Sequence, residues 1–348
     1  MKPPASTTIL GIETSCDETA AAVLDGEGHV LANVISSQQT VHERFGGVVP
    51  ELASRAHIQN VDHVTRQALD AAGLTWQDLG AIAVTQGPGL AGALLVGISY
   101  AKSLAYALGI PLVGVSHLEG HIASAWIDRP SFPRTCVVLI ASGGHTHLFH
   151  ATEHGGFHLM GRTIDDAAGE AFDKGAQMLG LGYPGGPLID AAARKGSPAA
   201  VRFPRSRVRT GQLDFSFSGL KTALLYHLQR MDQVRGQLLR KEPQEAIVDV
   251  LVRQTFAAVR QAGVSALAVV GGVSANSRLR ARLTERAAGE GIELGLPALS
   301  YCTDNAAMIA AAGQRALEQG RLASFECEAM PNYALPASSG GETMRRRS

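Results

Sequence analysis

The chain has 348 residues, 45% of them hydrophobic and few aromatic, which is long for one ordinary domain and enough for two with cores of Ala, Val, Leu and Ile. Lys+Arg 31 balances Asp+Glu 31, so no global charge draws it to nucleic acid or a membrane, and any such contact must come from a local patch. Four cysteines, Cys16, Cys136, Cys302 and Cys327, form no CxxC pair, which argues against a disulfide framework or a thiolate zinc site and fits a reduced, cytoplasmic protein.

Residues 1–8 hold one Lys and two Pro without an apolar run, so no signal peptide is expected. Residues 8–13, 20–24 and 29–36 read as three successive strands. The tight polar turn Thr14-Ser15-Cys16-Asp17 separates the first two, and Asp25-Gly26-Glu27-Gly28 joins the others. Residues 51–72 place Leu52, Ala56, Val61, Val64, Ala68, Leu69 and Ala72 at helical spacing and stop at Gly73. Residues 81–85 form a strand feeding Gly87-Pro88-Gly89. The apolar run 90–108, broken by Gly92, Gly97 and Lys102, reads as a buried helix and not a membrane span. A short strand at 111–115 precedes a helix at 117–126, and Pro130 and Pro133 mark a lobe boundary.

The second half repeats the opening device: residues 137–149 run strand, turn Ser142-Gly143-Gly144, strand. Helices follow at 167–179, 187–195, 219–230 and 243–262, with an irregular Pro- and Arg-rich stretch at 197–214. Residues 266–270 form a strand that enters Gly271-Gly272 and opens a helix at 277–289. A last helix, 304–319, crosses back to the first lobe, and the Ser/Gly-rich, Arg-ending segment 336–348 is expected to be disordered. Successive turn N–H groups make a concavity suited to an anion, so two such turns predict a duplicated, two-lobe α/β chain with a phosphate compound in a cleft between its halves. The expected division is 1–133 with 306–335, then 134–305, then the tail.

His117 and His121 in HLEGH are four apart on a helix, so their imidazoles share a face and suit a metal. The same spacing also describes two ordinary helix histidines. A zinc-protease reading fails on Glu119, which lies about 200° around the helix from His117. Asp304, at a helix start, is the best third ligand, or else an N-cap. Two His and one carboxylate suit one divalent ion, Fe(2+), with Zn(2+) the other choice. Glu13 and Asp17 flank the first turn, where carboxylates steer a metal, a water or a nucleophile, or cap the turn. Ser142-Gly143-Gly144 would wrap a phosphate or form a simple hairpin turn. Gly271-Gly272 makes a phosphate or nucleoside platform, with Asn276 on a ribose or capping its helix. Asp165, Asp166, Glu170 and Asp173 gather near a helix start, where the dipole favours acids, and Tyr183-Pro184-Gly185-Gly186-Pro187 followed by Asp190 suits a ligand wall. Arg202, Arg205, Arg207 and Arg209, with Lys221, interleave with Phe203, Phe215 and Phe217 as one basic cluster able to grip RNA phosphates.

The motifs GIETSCDET, GGVVPELASR, QGPGLAGALLVG, HLEGH, SGGHT, DDAAGEAFDK, YPGGP, DFSFSGLKT, GGVSAN and CTDN occur in one order over residues 9–308. In this the chain closely resembles the bacterial form of the tRNA N(6)-adenosine threonylcarbamoyltransferase family, once described as O-sialoglycoprotein endopeptidases. The resemblance implies an actin/Hsp70/sugar-kinase-like (ASKHA) fold. It implies metal ligation by His117, His121 and Asp304, and substrate binding by Ile140, Ala141, Ser142, Gly143, Gly144, Asp173, Gly186, Asp190 and Asn276. It places Asp17 at the catalytic centre. The implied reaction moves a threonylcarbamoyl group from threonylcarbamoyl-AMP to the exocyclic amine of adenosine 37 in tRNAs that read codons beginning with A, releasing AMP. It further implies a separate synthase for the adenylate, a non-catalytic paralogous ASKHA subunit and a small P-loop ATPase as partners, with no membrane. His147 after SGGHT and Ala306 after CTDN depart from the pattern and touch no implied ligand. A metal-dependent protease and a small-molecule kinase on the same fold are the rival activities.

Overall fold

The computed structural model describes residues 7–153, 155–194, 203–205, 208, 213–231, 242–333 and 335. The expected tail 336–348 lies outside them, as do Arg202, Arg207 and Arg209 of the basic cluster and most of the irregular stretch 197–214. The chain divides into two compact units. One joins Met1–Ser131 to Thr303–Leu335, and the other takes in Phe132–Cys302.

In the first unit, β1 (Ile9–Glu13), β2 (Glu18–Leu24) and β3 (Val30–Ser37) form an antiparallel meander, and β4 (Ala81–Gly87) and β5 (Leu112–Ser116) add in parallel, in the order β3-β2-β1-β4-β5. β1 is buried at all five positions, as a central strand covered on both faces must be, so its apolar run does not alternate. Its side chains still alternate between faces. Leu10 and Ile12 join the core made with α2 (Pro50–Ala72, after the short α1, Gln39–His42) and α3 (Ala91–Leu108). Gly11 faces the other way, toward α10 (Ala306–Glu318), where a Cβ would stand 2.4 Å from the Ala306 carbonyl oxygen. Only glycine allows that approach. The period of two therefore aims Glu13 to the α10 side, where α4 (His117–Ala123) also packs against α10.

One sequence expectation changes here. The buried stripe of α2 is Ala53, His57, Val61, Val64, Thr65, Ala68 and Leu69, so its first turns bury Ala53 and His57 and not Leu52 and Ala56. Burial of His57 is tolerated because both ring nitrogens find partners. α3 has the length and composition of a membrane span, yet its buried residues Ala93, Leu94, Gly97, Ile98, Ala101 and Ala105 form one stripe against the sheet and α2, as in a core helix.

The second unit repeats the topology. β6 (Cys136–Ala141), β7 (Thr146–Ala151) and β8 (Phe157–Arg162) form the meander, while β9 (Ala266–Val270) and β10 (Glu293–Gly295) add in parallel, in the order β10-β9-β6-β7-β8. Renumbered from its own first strand, this is the strand order of the first unit, and the fold is the duplicated actin/Hsp70-like architecture. β8 and β10 escape the sequence reading because one is half exposed and the other three residues long. α5 (Ala168–Met178), α6 (Gly185–Ala193), α7 (Ser218–Met231), α8 (Glu242–Ala262) and α9 (Ser277–Glu290) enclose the core. Phe203, Phe215 and Phe217 lie in that core at 0–4% exposure, which corrects their expected place among solvent-facing arginines. An apolar ring between polar residues is worth more buried than stacked on solvent.

Candidate metal centre

Residues of the first unit converge from β1, α4 and the start of α10. α4 presents His117 and His121 one turn apart, their rings edge to face with centroids 4.6 Å apart. Asp304 Oδ1 lies 3.5 Å from His117 Nε2 and 3.2 Å from His121 Nε2, and the three ligand atoms fall within 4.8 Å of one another. Asp304 is spared the capping role because Asn305 takes it: Asn305 Oδ1 accepts the Met308 N–H at 3.0 Å. Glu119 is turned away and pairs with Arg321 at 3.0 Å.

Glu13, the buried end of β1, orients the first ligand. One carboxylate oxygen accepts from the Ser15 N–H, and the other from Thr85 Oγ1 at 2.7 Å and from His117 Nδ1–H at 3.0 Å. An acceptor at Nδ1 leaves Nε2 to face Asp304, the arrangement by which a carboxylate fixes a ligating imidazole. Burial would raise the Glu13 pKa, but the His117 charge and these hydrogen bonds outweigh it and hold the carboxyl below its usual range.

The turn carrying Asp17 rests on a second buried polar network. His57 Nε2–H donates to the Cys16 carbonyl at 2.9 Å, and Thr19 Oγ1 donates to His57 Nδ1 at 2.8 Å. His42 Nε2–H donates to Gln38 Oε1 at 3.1 Å, and the Gln38 backbone N–H donates to the Asp17 carbonyl at 3.0 Å. Asp17 is half-buried above it.

The set fits a metal ion on two observations. His121 is fully buried, and neither ring nitrogen makes a hydrogen bond, although Asp304 lies near Nε2; orphaned nitrogens of this kind are costly unless a ligand satisfies them. Negative charge is also concentrated here. Burial and the neighbouring Asp304 and Asp17 carboxylates push Glu18 up to about 10. Burial opposes the charge on His117, but Asp304 and Glu13 raise it to about 9, while burial holds His121 below its ordinary value. The residues present can hold a metal ion.

A pH dependence follows for the metal-free protein. Glu18 and His117 bind protons more tightly folded than unfolded, so their contribution is complete below the unfolded values, about 4.3 and about 6.5. It is lost as pH rises through about 10 and about 9 respectively. His121 acts oppositely, but only below about 6.5. The melting temperature of chelator-treated protein should therefore fall between pH 6.5 and 9, and a saturating divalent ion should flatten the curve, because a dication replaces the proton. A melting temperature that rises with pH across this window in scanning calorimetry would contradict the charge arrangement.

The remaining sequence candidates sit in the second unit. The Ser142-Gly143-Gly144 turn follows Ile140 and Ala141 at the end of β6; the Gly169 N–H donates to the Ser142 carbonyl at 3.1 Å. Cβ atoms at Gly143 and Gly144 would meet nothing within 4 Å, so this backbone borders open space. Asp173 Oδ1 accepts the Gly185 N–H at 2.7 Å, which places it against the start of α6, where Gly186 lies. Asp190 and Asn276 are brought together through Ser277, whose Oγ donates to Asp190 Oδ1 at 2.7 Å. Asn276 Oδ1 caps α9 through the Leu279 N–H at 3.0 Å, and its Nδ2 donates to Gln244. Asp165 and Asp166 are engaged structurally, Asp165 by Ser216, Phe217 and Ser218 and Asp166 by Lys174. Sequence reasoning did not find His57, Gln38, His42 or Thr85. The one available signal was a histidine interrupting the apolar stripe of α2.

A family model described as tRNA N6-adenosine threonylcarbamoyltransferase matches residues 29–311. A protein of that name from Anaeromyxobacter dehalogenans (strain 2CP-C) is 52% identical over 335 residues, covering 94% of this chain and 100% of that one. Another from Clostridioides difficile (strain 630) is 47% identical over 330 residues, covering 94% and 98%. Among solved structures, component A of (R)-2-hydroxyglutaryl-CoA dehydratase from Acidaminococcus fermentans superposes with a TM-score of 0.53 at 16% identity, covering 89% of this chain and 99% of that one; this likeness concerns the fold alone.

Proposed function

This chain belongs to the tRNA N6-adenosine threonylcarbamoyltransferase family, and from that membership we propose which residues carry out the transfer. The enzyme is a transferase that moves a threonylcarbamoyl group to the N6 amine of an adenosine in tRNA. In our reading the donor is threonylcarbamoyl-AMP, the acceptor is adenosine 37 of tRNAs reading codons that begin with A, and the leaving group is AMP. His117, His121 and Asp304 hold the metal, Fe(2+) by the donor set with Zn(2+) the other choice. When bound, the ion supplies Lewis-acid charge to an acyl oxygen.

The other roles belong to the chain itself. Glu13 holds His117 in the tautomer that ligates through Nε2. Backbone N–H groups of the Ile140–Gly144 segment bind the adenylate phosphate, and Asp173, Gly186, Asp190 and Asn276 border the nucleoside. Asp17 orients the attacking amine and takes its proton as the new C–N bond forms and the acyl–phosphate C–O bond breaks. Because the target base lies in a single-stranded loop, no duplex has to be opened. An aromatic amine is a weak nucleophile, so positioning and charge stabilisation dominate the rate.

The observation that carries this reading is the convergence of two imidazoles and a carboxylate, one of the imidazoles, His121, being buried without a hydrogen bond. Glu119, committed to Arg321, offers no water-activating carboxylate for peptide hydrolysis, and the comparisons do not favour a protease or a kinase. We further assign a cytoplasmic setting, a separate synthase that makes the adenylate, a non-catalytic paralogous ASKHA subunit and a small P-loop ATPase. The test is to incubate unmodified tRNA with threonine, bicarbonate, ATP, the synthase, the paralogous subunit and the ATPase, with and without this chain. Mass spectrometry of the nucleosides should show threonylcarbamoyladenosine only when the chain is present. Equal modification in its absence would end the proposal.

A further inference from the structure

A cavity of about 440 Å³ in the second unit uses none of the residues assigned to the metal, the adenylate or the reaction, though it takes in Arg205 of the basic cluster; Arg205, Asp249, Val252, Arg253, Arg282 and Arg286 line it. Four guanidinium groups and one carboxylate form its charged wall, in a chain whose overall charge is zero. Two helices produce it. α9 carries Arg278, Arg282 and Arg286 four apart, hence on one face about 6 Å apart along the axis. α8 sets Glu245, Asp249 and Arg253 at the same spacing. The rows meet through Arg282, whose Nη1 contacts Glu245 and, at 3.0 Å, Asp249. Arg205 reaches Asp249 at 2.9 Å and the Phe203 carbonyl at 3.0 Å. Arg286 is held over the buried Phe256 ring at 4.5 Å and by Glu290 at 2.7 Å.

These contacts hold the guanidinium groups without exhausting them. Arg282 is gripped by Nη1 and Arg286 by Nε, and their other N–H groups find no protein partner among the described residues. Arg205, Arg282 and Arg286 keep 30–32% of their side-chain surface in solvent, so the wall is an open groove. Pre-positioned guanidinium forks match phosphate oxygens, and gathering like charges favours an arriving anion. Two features select a polynucleotide backbone over a single small anion. The lining arginines come from three segments, Arg282 and Arg286 one turn apart on α9, Arg253 on α8 and Arg205 before them, so the charge is spread along the wall, and the groove is open. The nearby phenylalanines Phe203, Phe215, Phe217 and Phe256 are buried, so no ring is offered to a base. Contacts would be to phosphate and carry no sequence information.

We propose that this arginine groove binds the phosphodiester backbone of the tRNA substrate, independently of its sequence. The proposal rests on the reading that tRNA is the substrate. The test uses the full chain with Arg253→Gln/Arg286→Gln, and Arg286→Lys as a charge-preserving control, after calorimetry shows that each folds. Binding of fluorescent unmodified tRNA is followed by anisotropy over a salt series, alongside transfer kinetics with the synthase present. The double variant should bind about tenfold more weakly, and its slope of log K against log salt should be shallower by about 1 to 2. The KM for tRNA should rise while kcat and the KM for threonylcarbamoyl-AMP stay unchanged, an unrelated RNA hairpin should weaken equally, and Arg286→Lys should recover most of the binding. Unchanged affinity and slope in a variant of a wild type that modifies tRNA would overturn the groove while leaving the transferase reading intact. So would inorganic phosphate that binds the groove by calorimetry while tRNA affinity ignores the substitutions. A wild-type chain that yields no modified tRNA in the complete system would instead strike the reading itself.

Discussion

His121→Leu is expected to stabilise the metal-free protein while abolishing its metal binding and its transferase activity. The native imidazole is fully buried with two nitrogens that make no hydrogen bond, and an unsatisfied buried polar group costs about 1–3 kcal/mol. Leucine has a similar volume and no polar atom, so it removes that cost without opening a large void. It also removes one of three ligands. Losing a ligand should weaken affinity by more than the roughly 10–100-fold typical of outer-shell partners. Calorimetry of chelator-treated protein should show a melting temperature a few degrees higher for the variant, about 2–4 °C per kcal/mol for a unit of 150–250 residues. Metal analysis after reloading should find the wild type near one ion per chain and the variant near none. A less stable variant that still loads metal would mean His121 is an ordinary core residue.

Asp17→Ala should lower kcat by about 10²–10⁴, the range of a positioned proton acceptor, with tRNA binding, AMP binding and metal content near wild type. The separation is expected because the backbone of the turn is held by groups other than the Asp17 carboxylate. Its backbone is held by His57 on the Cys16 carbonyl and by the Gln38 N–H on the Asp17 carbonyl. Asp17→Asn divides the two roles proposed for the carboxylate. An asparagine as inactive as alanine identifies a proton acceptor, whereas recovery of much of the rate identifies an orienting group. Turnover retained in Asp17→Ala would remove the residue from the reaction.

How far the sequence reached is clearest residue by residue. The three opening strands, the echoed hairpin and the helix bearing His117 and His121 were legible because each is a local pattern, a period of 2 or 3.6 closed by turn residues. Asp304 was legible as a candidate but not as a ligand. Nothing local says that Asn305 takes the cap and frees it. The basic cluster was misread in part, since its phenylalanines belong to the core. His57 was hidden because Leu52 and Ala56 also continue the apolar spacing of α2 toward its start.

The sequence by itself determined the duplicated architecture and the residue types of the centre, because strand and helix periods and turn chemistry act over a few residues; the family was implied by the resemblance that its ordered motifs carry. The tertiary structure alone decided which of them meet. Glu13 and His117 are 104 residues apart and join because alternation along β1 turns Glu13 to the side where α4 packs. Asp304 comes to the two histidines because Gly11 leaves room for α10 on β1. Such meetings depend on close packing between distant segments, and side-chain volume at a contact has no periodic signature along the chain.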